Sequence, residues 1–297
     1  MLGKALRLLC AVAWMTAAAG PTHAHDKIRV VASFSILADL ARNVAGDAAD
    51  VSALVGPDSD AHAYAPSPAD AKRLAEATLV LVNGLGFEGW IERLVSASGT
   101  KAMVTVASTG VTPRQMQDDG RSRADPHAWQ SVANAKIYVS NIRDALVRAD
   151  PEAKAIYAAN AAAYTARLDV LEAEVKAAVA AIPPARRSII TTHDAFGYFA
   201  AAYGIAFIAP QGVSTEQEVS ARALAQIIRQ IKAEKIPAVF LENITDPRLM
   251  KRIAEETGAK IGGKLYSDAL SAANGPAPTY LDLMRHNARE LRSALLD

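Results

Sequence analysis

Short runs of β-branched and apolar residues alternate along the chain with longer segments whose apolar positions recur every three or four residues. That alternation is expected of an α/β protein with mainly parallel sheets. In the first half, residues 28–32, 51–55, 78–82 and 103–106 predict strands, and residues 36–44, 68–75, 87–96 and 132–148 predict helices. The second half repeats the pattern with strands at 188–192, 205–209, 238–242 and 259–266, each followed by a loop or a helical segment. Between the halves, residues 151–182 are rich in Ala, Glu, Lys and Leu, follow Asp150 as a candidate N-cap and stop at Pro183-Pro184. This predicts a single helix of about 30 residues, roughly 45 Å long. Such a helix is either a coiled-coil arm or a strut, and its alanines suit close packing against both halves. No Gly/Ser hinge interrupts it, so large domain closure is not expected. The fold class read from the pattern is α/β, with two Rossmann-like lobes of mainly parallel sheets joined by a long rigid helix. Residues 113–123, low in hydrophobicity, are expected as a mobile loop, and the amphipathic segment 280–296 as a helix packed on the second lobe.

The first 24 residues stand outside this pattern. Lys4 and Arg7 precede an apolar run at 8–19, followed by Pro21 and the small-residue ending Thr22-His23-Ala24. This is the layout of a secretory signal peptide cleaved after Ala24. A membrane anchor fits less well, because the run is well short of the roughly 20 apolar residues a spanning helix needs. The expected division is therefore a signal peptide at 1–24, an N-terminal lobe at 25–150, the linking helix at 151–182 and a C-terminal lobe at 183–297.

Composition narrows the chemistry. The 297 residues are 51% hydrophobic and 21% charged, an ordinary globular mixture. Thirty-two Lys and Arg against 31 Asp and Glu leave a net charge of +1, so no bulk attraction to nucleic acid or an anionic membrane operates. The only cysteine, Cys10, lies in the signal segment with too little apolar sequence before it for a lipoprotein cleavage site. A mature chain without cysteine has no disulfide, thiolate metal site or cysteine nucleophile. Gly84-Leu85-Gly86-Phe87-Glu88-Gly89 fits the dinucleotide fingerprint in form, but no Asp or Glu follows between Arg93 and Gln117 to hold a ribose. It reads as a tight strand-to-helix turn with Phe87 and Trp90 packed inward.

Of six histidines, His23 and His25 flank the expected cleavage point and His286 sits in a Leu/Arg-rich helical stretch. The others occupy turn-forming loops: His62 in Gly56-Pro-Asp-Ser-Asp-Ala-His62-Ala-Tyr64, His127 in Asp125-Pro-His127-Ala-Trp129, and His193 in Thr191-Thr-His193-Asp-Ala-Phe-Gly-Tyr-Phe199. One such histidine alone is usually a hydrogen-bonded or solvated side chain. Three at equivalent ends of sheets in two lobes point to a ligand site, because open α/β sheets bind ligands beyond the carboxyl ends of their strands. An imidazole site also needs a harder partner, and the second lobe offers Asp194, Glu242 and Asp268. Asp268, after Lys264-Leu-Tyr-Ser267, is the favoured fourth ligand, with helix capping as its alternative role. Glu242 is the candidate to orient a ligand imidazole.

These loops resemble the four metal-ligand segments of the zinc/manganese solute-binding proteins of bacterial ABC importers, and the similarity extends over the whole mature chain, the long helix included. The resemblance implies a periplasmic receptor, not an enzyme, that captures one transition-metal ion in the inter-lobe cleft and delivers it to an inner-membrane permease. Position by position, His62 and His127 match the ligands of the N-terminal lobe, and His193 and Asp268 those of the C-terminal lobe. Two departures stand out. Many zinc-specific members carry a long His/Asp/Glu-rich loop before the second ligand, whereas residues 113–123 contain no histidine. Manganese-preferring members often place Glu where this chain has His193.

Three imidazoles and one carboxylate suit four-coordinate Zn²⁺, whereas Mn²⁺ prefers more oxygen and a higher coordination number. Zinc is the expected cargo, with manganese as the alternative that a bidentate Asp268 would favour. Binding is expected to weaken as the pH falls through the histidine range near about 6.5, and release to begin on the Asp268 side when the receptor docks. The receptor is expected to be a monomer with no nucleic-acid partner, and a periplasmic metal chaperone is a further candidate partner. The rival is a periplasmic zinc hydrolase with Glu242 or Asp194 as general base, but the chain has neither an HExxH pair nor a GxSxG elbow. An adhesin or chaperone-like module would need an exposed apolar patch, which sequence does not reveal.

Overall fold

A computed structural model describes residues 26–118, 121–215 and 219–296; the expected signal segment lies outside them. The first lobe is a parallel sheet of β1 (Ile28–Phe34), β2 (Ala49–Val55), β3 (Leu79–Val82) and β4 (Met103–Val106) in the order β2-β1-β3-β4. β3 is buried at all four positions, so its Leu-Val-Leu-Val run needs no polar alternation. The crossovers are α1 (Ser35–Ala45), α2 (Pro68–Ala75) and α3 (Ile91–Ser98). At the start of α2, Ser67 and Asp70 cap each other's backbone N–H and Pro68 takes the first helical turn. α3 starts four residues later than its periodicity suggests. Residues 84–90 are consumed by a turn in which Gly84, Leu85 and Gly86 all have positive φ.

Residues 113–123, expected as a loop, instead build an antiparallel hairpin of β5 (Gln115–Asp118) and β6 (Arg121–Ala124). The ribbon lies on the surface, so strand pairing holds it without the apolar alternation that sequence reading depends on. The Asp125 N–H closes its base by donating to Arg114 O at 2.9 Å. α4 (Val132–Ala149) then leads to α5 (Lys154–Ala180), the long helix. Asp150 does not cap α5 directly. Its carboxylate accepts from the Ala153 N–H at 3.4 Å and the Tyr157 hydroxyl at 2.7 Å, fixing a turn at 151–153 ahead of the helix.

The second lobe repeats the first, with β7 (Ser188–Ile190), β8 (Ala206–Ile208), β9 (Ala238–Glu242) and β10 (Lys260–Leu265) parallel in the order β10-β9-β7-β8. Counted from its own first strand, each sheet runs 2-1-3-4. Its helices are α6 (Gly197–Tyr203), α7 (Ala221–Glu234), α8 (Arg248–Thr257) and α9 (Tyr280–Leu296). α5 is a strut, not a free arm. It packs on α1 and α4 of the first half and on α9 of the second, burying Tyr157, Ala161, Tyr164, Leu168, Leu171 and Val175 at three- and four-residue intervals. One apolar core consequently runs through both lobes. A smaller cluster, including Ile190, Ile227, Ile231, Val239, Met250 and Ile253, lies apart between the second sheet and α7 and α8.

Candidate metal centre

The carboxyl ends of the strands in both sheets face one cleft, and each predicted ligand follows a strand into it. His62 is on the loop after β2, His127 follows the hairpin that succeeds β4, His193 lies three residues beyond β7, and Asp268 three beyond β10. The structure brings all four together, with one ligating atom from each within 4.8 Å of the others. His62 Nε2 is 3.2 Å from His127 Nε2 and 3.3 Å from Asp268 Oδ2. His193 Nε2 is 3.1 Å from the same Oδ2, and His127 Nε2 is 3.7 Å from Oδ1. His127, His193 and Asp268 are fully buried and His62 is 7% exposed. Phe87 and Trp129 wall the first pair of imidazoles, with ring centroids 4.6 Å from His62 and 5.4 Å from His127 respectively.

Two further carboxylates act on the far sides of the rings. Asp125 Oδ1 accepts from the backbone N–H of His127 at 3.0 Å and lies 2.9 Å from its Nδ1. Glu242, at the end of β9, lies 2.6 Å from His193 Nδ1 and accepts the backbone N–H groups of Thr192 and His193 at 2.7 and 3.0 Å. Asp125 sits against the Nδ1 side of His127 and Glu242 against that of His193, so that Nε2 of each ring faces the centre. Glu242 thus occupies the orienting position suggested by the sequence. Asp125 was missed, although its place two residues before His127 was a usable signal. Asp194, the other carboxylate considered, is not among the four converging groups. His286 is occupied elsewhere, its Nε2 2.9 Å from Lys264 O, while His23 and His25 lie outside the described residues.

The electrostatics suit a cation. Burial alone would favour a neutral Asp268, yet His127 and His193 hold its carboxyl well below the usual range, so it is an anion inside the protein. Burial opposes protonation of His193, but Glu242 and Asp268 outweigh it and raise its pKa well above the ordinary value. At His62 burial wins and lowers the pKa despite Asp268. Asp268 Oδ1 is buried with no hydrogen-bond partner, a free acceptor beside three imidazole nitrogens. Such a set can bind a divalent ion directly.

The Gly84–Gly89 turn has no comparable capacity. Glu88 fills it from within, accepting the N–H groups of Asn83 and Gly84 at 2.6 and 3.2 Å and the Ser33 hydroxyl at 2.5 Å. The amides that would cradle a phosphate already hold a carboxylate, and Phe87 and Trp90 are buried.

Residues 30–294 match the family described as zinc-uptake complex component A, periplasmic. The chain belongs to this family. It is 37% identical over 265 residues to the iron-binding protein YfeA of Yersinia pestis, covering 89% of this chain and 85% of that one. It is 34% identical to the manganese-binding lipoprotein MntA of Halalkalibacterium halodurans, covering 93% and 91%. Among solved structures, the periplasmic zinc-binding protein TroA of Treponema pallidum superposes with a TM-score of 0.86 at 30% identity, covering 91% of this chain and 99% of that one. A manganese-bound S38A mutant of a periplasmic metal-binding protein from Candidatus Liberibacter asiaticus gives 0.84 at 33% identity, covering 91% and 100%. As a member of the family, the chain is the substrate-binding protein of a metal ABC transporter, a receptor and not an enzyme. Its cargo is a divalent metal ion and its partner a membrane permease. Among the described residues, no helix is long and apolar enough to cross a membrane.

Proposed function

We propose that this receptor carries Zn²⁺, held by His62, His127, His193 and Asp268, and delivers it to the permease as a soluble periplasmic protein released by cleavage after Ala24. The observation that carries the reading is the donor set: three Nε2 atoms and one carboxylate converge in a buried cluster, which suits tetrahedral zinc. Capture needs no chemistry beyond loss of protons from the imidazoles, so the ion can be handed on unchanged. The departure from Glu at the His193 position, noted in the sequence, supports zinc over manganese.

A second reading, manganese or iron, draws on two observations. Asp268 Oδ1 is buried and unpartnered, so a bidentate carboxylate would make five donors, and relatives named for manganese and iron are 34% and 37% identical. Competition titration of the metal-stripped chain with Zn²⁺ and Mn²⁺, alongside Asp268→Ala, separates the two. One tight zinc per chain, strongly weakened by the substitution, is the expected result. A preference for Mn²⁺ would overturn zinc, and retention of tight binding by Asp268→Ala would overturn the ligand set.

A further inference from the structure

His62 is the only one of the four converging groups with any exposure. Its open edge faces a cavity of about 530 Å³ lined also by Tyr64, Gly86, Phe87 and Trp90. The loop that carries it runs from β2 to α2 and, among the described residues, Asp58 and Asp60 tie it to the second lobe by four hydrogen bonds. Asp58 makes three of these ties: its N–H donates to Leu270 O at 2.8 Å, Oδ1 accepts from Asn243 Nδ2 at 3.1 Å, and Oδ2 accepts from the Ala272 N–H at 3.1 Å. Asp60 makes the other, accepting from the Thr215 hydroxyl with Oδ2 while Oδ1 accepts the His62 N–H at 2.9 Å.

The Asp268 segment, where the sequence led us to expect release to begin, is held more deeply. Ser267 O accepts from Trp129 Nε1 at 2.9 Å and Gln130 Nε2 at 2.7 Å, and the Leu270 N–H donates to Ser35 Oγ at 3.0 Å, all of them buried bonds. The side-chain ties of Asp58 are exposed. Buried bonds are costly to open because water does not replace them, whereas exposed ones exchange readily with solvent. Beside the buried bond from Trp90 Nε1 to Ala61 O at 2.8 Å, the Asp58 side-chain ties are therefore the part of the His62 loop's attachment to the second lobe that opens most readily.

We propose that Asp58 is the positioning residue that sets how fast the metal leaves, its carboxylate latching the His62 loop onto the lobe that supplies His193 and Asp268. Breaking the latch withdraws His62 and opens the cluster toward the cavity. The proposal rests on His62 being a ligand. Asp58 also has φ +49°, in the left-handed region that glycine adopts freely. Asp58→Gly therefore deletes both carboxylate bonds while keeping the backbone conformation and the bond to Leu270 O.

The test is stopped-flow transfer of metal from the loaded chain to a chelator, using Zn²⁺, or Mn²⁺ if that binds more tightly, together with the association rate and stoichiometry. Asp58→Gly should release metal about tenfold faster, the scale of two exposed hydrogen bonds, with association no slower and one ion per chain. Asp58→Asn, which keeps one acceptor oxygen, should fall between it and the unsubstituted chain. Asp58→Asn also decides the question if the glycine variant does not fold; Asn243 is left intact because its Nδ2 donates to Ala269 O, next to Asp268, at 3.2 Å as well. Release within twofold of the unsubstituted rate overturns the latch, as does a fall in association rate, which marks a damaged site. His62→Ala distinguishes the two levels: if it binds metal undiminished, the ligand set fails and the latch with it, whereas weakened binding with unchanged Asp58→Gly release removes the latch alone.

Discussion

The two lobes share one strand order but supply their candidate ligands from different places in it. In each, one candidate ligand follows the fourth strand: His127 beyond β4 and Asp268 beyond β10. The other comes from the edge strand β2 in the first lobe and from the interior strand β7 in the second. His193 is accordingly clamped by Glu242 on the adjacent strand β9. His62 is carried on a loop whose contacts are made one at a time, among them Trp90 Nε1 to Ala61 O at 2.8 Å. Identical topology thus yields one histidine of the cluster built into a sheet and one held by a strap, and strand position decides which.

Substitution of the two histidines is the strongest challenge to this comparison. His193→Ala removes the imidazole 2.6 Å from Glu242, which is 3% exposed and keeps only the backbone N–H groups of Thr192 and His193 as partners; breaking such a buried pair should cost about 3 kcal/mol. His62→Ala should cost about 1 kcal/mol, the size of an ordinary substitution. Urea unfolding of the metal-free proteins measures both, and equal losses would break the comparison.

A second test compares the two orienting carboxylates. Glu242→Gln and Asp125→Asn should each weaken metal binding, by about 10- to 100-fold. Glu242→Gln should have the greater effect, because Asp125 sits on the same short loop as the histidine it holds. Chelator competition at fixed ionic strength gives both values.

A smaller effect probes the join between the lobes. Asp39 on α1 accepts the Tyr280 N–H at the start of α9 at 2.9 Å. Burial, partly offset by that N–H and by Arg42, pushes its carboxyl from 3.8 to about 6. Since the folded pKa is the higher one, the proton favours the folded state. That contribution is complete below a pH of about 3.8 and lost as the pH rises through about 6. Asp39→Asn should therefore gain about 1–3 kcal/mol over the unsubstituted protein at alkaline pH, with the difference shrinking in acid. Thermal unfolding across the pH range tests it, and a gain independent of pH would assign the effect to something other than this ionisation.

Much of this was legible in the sequence because strand ends announce themselves. β4 and β9 fall where their apolar runs predicted, and His193 and Asp268 stand three residues past such runs, with His62 in the loop after β2 and His127 beyond the hairpin that follows β4. What was not legible depends on partners distant in the chain. Asp58 lies in a polar turn, and only the apposition of the lobes supplies Asn243 and Ala272. The hairpin at 115–124 was hidden for another reason: a surface ribbon held by backbone pairing has no need of an apolar face. The late start of α3 reflects Glu88, whose carboxylate anchors the turn ahead of the helix, a role that periodicity does not register.

Because α5 threads a single apolar core through both lobes, neither lobe can melt on its own. Calorimetry should record one unfolding transition, with bound metal displacing it as a whole. The separate cluster beneath α7 and α8 is the exception, a cooperative unit small enough to open first. Amide hydrogens there, such as that of Ile231, should exchange with solvent well before those facing the strut, such as that of Leu168.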